Sequence, residues 1–174
     1  MKKLLVIAML SVVAFSVDAQ QLKTPRKVEN VTICDMSGDP VQLPGWGEKN
    51  LFIFYVDPDS YVGKNANKDF SAEIEENKRC SGSNLLGFGI INTADTKLPK
   101  WIVRDMARKR VEKSGALSLD DQNNTLTKAW GLGNCDGAFA MIVVNKQGEI
   151  VYFRTSEITP AEKEEFYKFI EAYK

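Results

Sequence analysis

Leu51-Phe52-Ile53-Phe54-Tyr55-Val56 decides the fold. The run is apolar without interruption and rich in aromatic and β-branched residues. The absence of polar alternation predicts a strand buried on both faces, in a sheet flanked by helices. It stops at Asp57-Pro58-Asp59, a turn sequence. Downstream, Phe70 and Ile74 in polar surroundings predict a helix from about Lys68 to Arg79, with Asp57, Asp59 and Ser60 as its turn and cap residues. Ser81-Gly82-Ser83 breaks that helix, and Leu85 to Ile91 reads as a second buried strand. Strand, helix and strand at this length form a βαβ unit with parallel pairing and a right-handed crossover.

Upstream, Val28 to Cys34 reads as a strand, Met36 to Pro40 as a turn and Val41 to Leu43 as the returning strand, so a β-hairpin precedes the βαβ unit. Pro44-Gly45-Trp46-Gly47 ends it. Beyond the second buried strand, Pro99 opens a helix carrying Trp101, Ile102 and Met106, with Arg108-Lys109-Arg110 as its solvated, cation-favouring C-terminal end. Leu117 and Leu119 mark a short third strand, and Asn124 to Trp130 a short helix closed by Gly131. Phe139 to Val144 is a buried strand, Lys146-Gln147-Gly148 a hairpin turn and Ile150 to Phe153 the antiparallel partner. Thr159, Pro160 and Glu162 supply N-cap, N1 proline and capping-box glutamate to a last helix that presents Phe166, Phe169, Ile170 and Tyr173 on one face.

At the start of the chain, Lys2 and Lys3 lead into the apolar run Leu4 to Val17, which ends at Val17-Asp18-Ala19. This reads as a secretory signal peptide, residues 1–19, with cleavage before Gln20. Residues 20–174 then form a single domain, exported to a periplasm or secreted, with no membrane span after cleavage. The 23 basic and 23 acidic residues balance, which gives no electrostatic case for a nucleic-acid partner. Histidine is absent. That excludes Ser-His and Cys-His hydrolases and zinc sites that need a histidine ligand.

The order β-hairpin, βαβ, αβ, β-hairpin, α is similar to the thioredoxin-like fold, a three-layer α/β/α arrangement whose mixed central sheet here carries an N-terminal β-hairpin. Three stretches resemble the YtfJ-type family of periplasmic proteins more narrowly: Ile90-Ile91-Asn92-Thr93-Ala94-Asp95, Leu119-Asp120-Asp121-Gln122-Asn123, and Ala140 to Gly148. The resemblance implies fold and compartment, and it brings no catalytic residues.

In thiol-disulfide enzymes of this fold, a Cys-x-x-Cys motif follows the strand matching Leu51 to Val56, where a helix N-terminus stabilises the thiolate. A register taken from Phe54 puts Asp59 and Val62 at the two cysteine positions. The accompanying cis-proline would fall at Phe139 or Ala140. Thioredoxin-type chemistry therefore has neither of its two elements, and a peroxide-attacking cysteine is missing from the same corner.

Three cysteines, Cys34, Cys80 and Cys135, allow at most one intramolecular disulfide. Cys80 closes the first helix and should lie at the opposite end of the sheet from Cys135, which argues against pairing those two; Cys34 could pair with either. Cys135 precedes the final hairpin and is the one candidate catalytic residue, with a buried structural thiol as the plainer reading. Asp57 and Asp59 invite a metal reading, but two carboxylates without further spaced ligands fall short of a cation loop, so no metal site and no cofactor is expected. Trp101 and Trp130 are expected in the core, and Trp46 is the surface candidate. Two readings follow: a non-catalytic module that binds an envelope protein or small ligand, or a divergent thiol-redox protein, oxidoreductase or peroxiredoxin-like, using Cys135.

Overall fold

The structure is a computed structural model that describes residues 22–61, 65–94 and 96–174. The signal-peptide expectation, Val62 and Asp95 lie outside these residues. The described chain folds around one eight-stranded mixed sheet, in the order β1-β8-β7-β4-β5-β6-β2-β3. The strands are β1 (Arg26–Lys27), β2 (Thr32–Cys34), β3 (Pro40–Gln42), β4 (Asn50–Val56), β5 (Leu85–Asn92), β6 (Ser118–Asp121), β7 (Phe139–Val144) and β8 (Glu149–Arg154). The helices are α1 (Ala66–Asn77), α2 (Lys100–Ser114), α3 (Thr125–Trp130) and α4 (Pro160–Glu171).

Strand β4 lies between β5, to which it is parallel, and β7, to which it is antiparallel. Its residues from Leu51 to Val56 are all buried, as the unbroken apolar run requires. Alternate side chains enter two cores. Phe52, Phe54 and Val56 pack with Phe70 and Ile74 of α1 and with Phe166, Tyr167 and Ile170 of α4. Leu51, Ile53 and Tyr55 pack on the other face with Leu126 and Trp130 of α3 and with Val28, Val31 and Leu43. Phe166 is the hub of the first core, with ring centroids 5.3 Å from Phe52, 5.8 Å from Phe70 and 5.0 Å from Tyr152. These are tilted and edge-on contacts, the geometries the ring quadrupole favours.

The last third follows the sequence reading closely. Thr159 and Glu162 form the full capping box at the start of α4. The Lys146-Gln147-Gly148 turn needs a left-handed residue, and Gly148 supplies it at φ 73. A side chain there would also stand 3.1 Å from the Val28 carbonyl oxygen.

Four expectations are corrected. The stretch from Val28 to Cys34 is not one strand: Arg26–Lys27 pairs with β8 at one sheet edge, and Thr32–Cys34 pairs with β3 and β6 at the other. Val28 and Val31 are instead buried between them as the chain crosses the sheet. The first helix begins two residues early, because its cap is Asn65, whose side chain accepts from the Asn67 and Lys68 amides, and not Asp57 or Ser60. In α2 the buried residues are Val103 and Ala107, leaving Met106 exposed and Trp101 72% exposed, so Trp101 is no core residue. Finally, Arg110 is not a solvated helix end. It grips Glu75 and the Ser71 hydroxyl on α1, tying the two helices together. Arg108 does lie exposed, donating to the Met36 carbonyl, and Lys109 pairs with Asp105 one turn back.

Candidate functional site

The corner singled out by the sequence lies where β4 ends and β7 begins. Here the chain leaves β4 through a short 3-10 turn, Pro58–Tyr61, and only then reaches α1. Asp57 organises the turn. Its carboxylate accepts from the Asp59 amide at 2.8 Å and from the Gly137 amide at 2.8 Å, and its carbonyl accepts from the Ser60 amide and hydroxyl. Its own amide donates to Ala138, so the loop before β7 is pinned to the end of β4 on both sides of this residue. Asp57 is fully buried. Burial raises its pKa above the ordinary carboxylate value; the two amide donors work against that rise, and the neighbouring Asp59 and Asp136 add to it.

Asp59, which the sequence register sets at the first motif cysteine, is half-buried and spends its carboxylate on the segment after β5: Oδ1 accepts from the Thr96 hydroxyl at 3.0 Å and Oδ2 from the Lys97 amide at 3.3 Å. Ser60 is buried and turned back onto Asp57. All three side chains are thus committed to turn and loop contacts. Among the described residues no three carboxylates or thiols come together in a way that could hold a metal ion. Phe139 and Ala140, where the sequence count sets the cis-proline position, open β7 opposite Val56 and Tyr55 and so stand at this same corner.

Cys135 lies beside the corner with its side chain buried in the core that holds Tyr55, Leu126 and Trp130. Burial alone pushes its thiol up to about 11. The thiol is therefore held protonated at neutral pH. Cys80 is pushed up to about 12, again by burial first. Cys34 is raised by burial and then by the Asp120 carboxylate, with Arg104 acting against the rise. All three are free thiols. Cys80 and Cys135 belong to cores on opposite faces of the sheet, and Cys34 sits on β2 opposite Pro40 and Asp120.

Alongside this corner the fold builds a second polar cluster that the sequence reading did not single out as a site. Asp120 and Asp121 end β6 fully buried. Asp120 receives the Thr93 hydroxyl at 2.5 Å and both the Nε and a terminal nitrogen of Arg104 at about 3 Å. Asp121 receives the Tyr55 hydroxyl at 3.1 Å and the amides of Thr125 and Leu126 at the start of α3. The Tyr55 phenol is held above its usual pKa by burial and by that carboxylate, so it remains a donor. Asn92 bonds Asn124 across the same junction. The signal was present in the sequence as two acidic residues directly after Leu117 and Leu119 and followed by Asn123-Asn124-Thr125. Two of the three stretches that carry the family resemblance, around Asn92-Thr93 and Asp120-Asp121, are therefore neighbours in space.

Between that cluster and Cys135 lies a polar hollow of about 190 Å³, walled by Asn92, Asn124, Thr127, Lys128, Asn134 and Asp136. Trp130 is buried, with its indole N–H on the Glu29 carbonyl, and Trp46 is partly buried against it at 5.9 Å between centroids, so Trp46 is only in part a surface residue. Among the described residues no helix is long and apolar enough to cross a membrane.

The shape of the chain matches known structures of one fold class. The chain resembles a DsbF homologue from Corynebacterium diphtheriae, at TM-score 0.61 and 15% identity, over 84% of this chain and 87% of that one. It resembles the pneumococcal exposed lipoprotein thioredoxin from Streptococcus pneumoniae, at TM-score 0.58 and 9% identity, over 81% and 99%. A peroxiredoxin-like protein from Aquifex aeolicus matches at TM-score 0.57 and 12% identity, over 86% and 88%. The protein has a thioredoxin-like α/β fold. No family model matches the sequence, and no curated protein matches it either.

Proposed function

We propose that this is an exported thioredoxin-fold protein, similar to the YtfJ-type proteins, that works in the cell envelope by binding a protein or small ligand and not by thiol chemistry. The observation that carries the reading is Asp59. The sequence register gives it the attacking-cysteine position, and it lies in a 3-10 turn ahead of α1 with both carboxylate oxygens engaged. The thiol-redox alternative would have to run through Cys135. Cys135 is 3% exposed and its thiol is held protonated by burial, the reverse of the exposed, low-pKa setting that reactive cysteines need. The known thiol-disulfide and peroxiredoxin-like proteins of this shape support the fold, while the residues at this corner favour binding.

The test is activity against both redox substrate classes. The purified protein with dithiothreitol is expected to reduce insulin disulfides and to consume hydrogen peroxide no faster than dithiothreitol alone, and Cys135→Ser is expected to change neither rate. A rate above background that Cys135→Ser abolishes would make the redox reading correct.

A further inference from the structure

Among the described residues three large apolar side chains are exposed, and two of them stand on α2: Trp101, 72% exposed, and Met106, 53% exposed. The helix buries only Val103 and Ala107, which leaves its opposite side to solvent. On that side Ile102, Met106, Lys109 and Lys113 follow one another at spacings of four, three and four residues, a single helical face, and Trp101 stands beside Ile102.

An isolated exposed apolar residue needs no explanation, but these two come with an excess of unpaired positive charge. Lys97 and Lys100 are exposed at the entry to the helix and Lys113 in its last turn, and among the described residues none of the three has a carboxylate partner. Arg108 donates only to the Met36 carbonyl. Against these four cations, Asp105 is neutralised by Lys109 at 2.7 Å, and Glu112 is the one carboxylate of α2 outside an ion pair. The surface therefore joins apolar side chains to net positive charge. An acidic protein would satisfy the cations alone. A layer that is anionic at its surface and apolar beneath satisfies Trp101 and Met106 as well, because an indole, with its apolar body and polar N–H, prefers the boundary between hydrocarbon and water.

We infer that the solvent-facing side of α2, with Lys97 before it, is a docking surface for an anionic lipid bilayer. Trp101 and Met106 sit at the boundary between headgroups and hydrocarbon, and Lys97, Lys100, Arg108 and Lys113 meet the lipid phosphates. The inference goes beyond the function proposed above, since it uses no cysteine and not the Asp59 carboxylate. A vesicle assay and a redox assay can fail independently.

Residues 20–174, which contain both cores, are the material, so that the apolar run Leu4 to Val17 cannot itself bind lipid. They are mixed at low ionic strength with vesicles of phosphatidylglycerol and phosphatidylcholine, or of phosphatidylcholine alone. Cosedimentation is expected with the anionic vesicles only, together with a blue shift of tryptophan emission. Trp130 is buried and Trp46 partly buried, so the shift reports Trp101. A cation close to an anionic surface strengthens binding about fivefold, so Lys97→Ala combined with Lys100→Ala is expected to weaken it by about tenfold or more. Trp101→Ala is expected to weaken binding and to remove the blue shift. Lys23→Ala combined with Lys168→Ala, which removes the same charge outside α2, is expected to leave binding nearly unchanged. All of these side chains are exposed, so the variants keep the fold. The inference is overturned if the anionic vesicles do not bind, which would give the surface to an acidic protein, or if phosphatidylcholine vesicles bind equally well. It is equally overturned if the Lys23 and Lys168 variant loses as much as the Lys97 and Lys100 variant, or if the blue shift survives Trp101→Ala.

Discussion

Replacing Asn67 with leucine is expected to lower the thermal unfolding midpoint by about 10 °C, through a loss of about 3–5 kcal/mol. Asn67 is fully buried in the first turn of α1. Its Nδ2 donates to the Phe139 carbonyl at 2.8 Å and the Ser156 carbonyl at 3.0 Å, and its Oδ1 accepts from the Ile158 amide at 2.8 Å. One amide group thus closes α1 onto the start of β7 and onto the segment entering α4. Leucine has nearly the same volume and leaves three backbone groups without partners, each costing about 1–3 kcal/mol when it stays dry. Asn67→Asp separates shape from hydrogen bonding. It keeps the acceptor for Ile158 but turns both carbonyl contacts repulsive, so it is expected to destabilise at least as much at neutral pH. A midpoint shift of only a degree or two in either variant would show that water readily replaces the side chain.

The second large effect is expected at Asp121. Asp121→Ala removes the acceptor for the Tyr55 hydroxyl and for the first amides of α3, at a cost of about 3–5 kcal/mol in chemical denaturation. Tyr55→Phe deletes only the hydroxyl side of the cluster and is expected to cost about 1 kcal/mol. The contrast matters because it assigns most of the energy to the backbone amides, and hence to the placement of α3 beside the polar hollow. Equal losses in the two variants would contradict that assignment.

Legibility in the sequence followed the range of the interactions. β4, β7 and α4 were readable because their signals are local: an unbroken apolar run, a Lys-x-Gly turn and a capping box. Val28 to Cys34 reads as one strand from its β-branched residues, yet Val28 and Val31 are buried by crossing the sheet and not by pairing. The face of α2 was misread for a related reason. Trp101, Ile102 and Met106 have helical spacing, but the floor beneath the helix contains Gly87 and Gly89, and small Ala107 reaches toward it in place of the large residues. At the site, the missing motif could be seen by counting from Phe54. That Asp59 would be taken up by Thr96 and Lys97, and Asp57 by Gly137, depends on partners 37, 38 and 80 residues away, which no local pattern encodes.

This thioredoxin-like fold is expected to carry no working thiol. Differential alkylation of the three cysteines tests it most directly: the native protein is treated with iodoacetamide at neutral pH, then unfolded and treated with an isotopically distinct reagent, and each site is read by mass spectrometry. Cys80 and Cys135 are expected to take up label almost entirely after unfolding, as free thiols, with Cys34, the one of the three that is not buried, the fastest in the native state. Rapid native labelling of Cys135, or its recovery in a disulfide, would contradict the account.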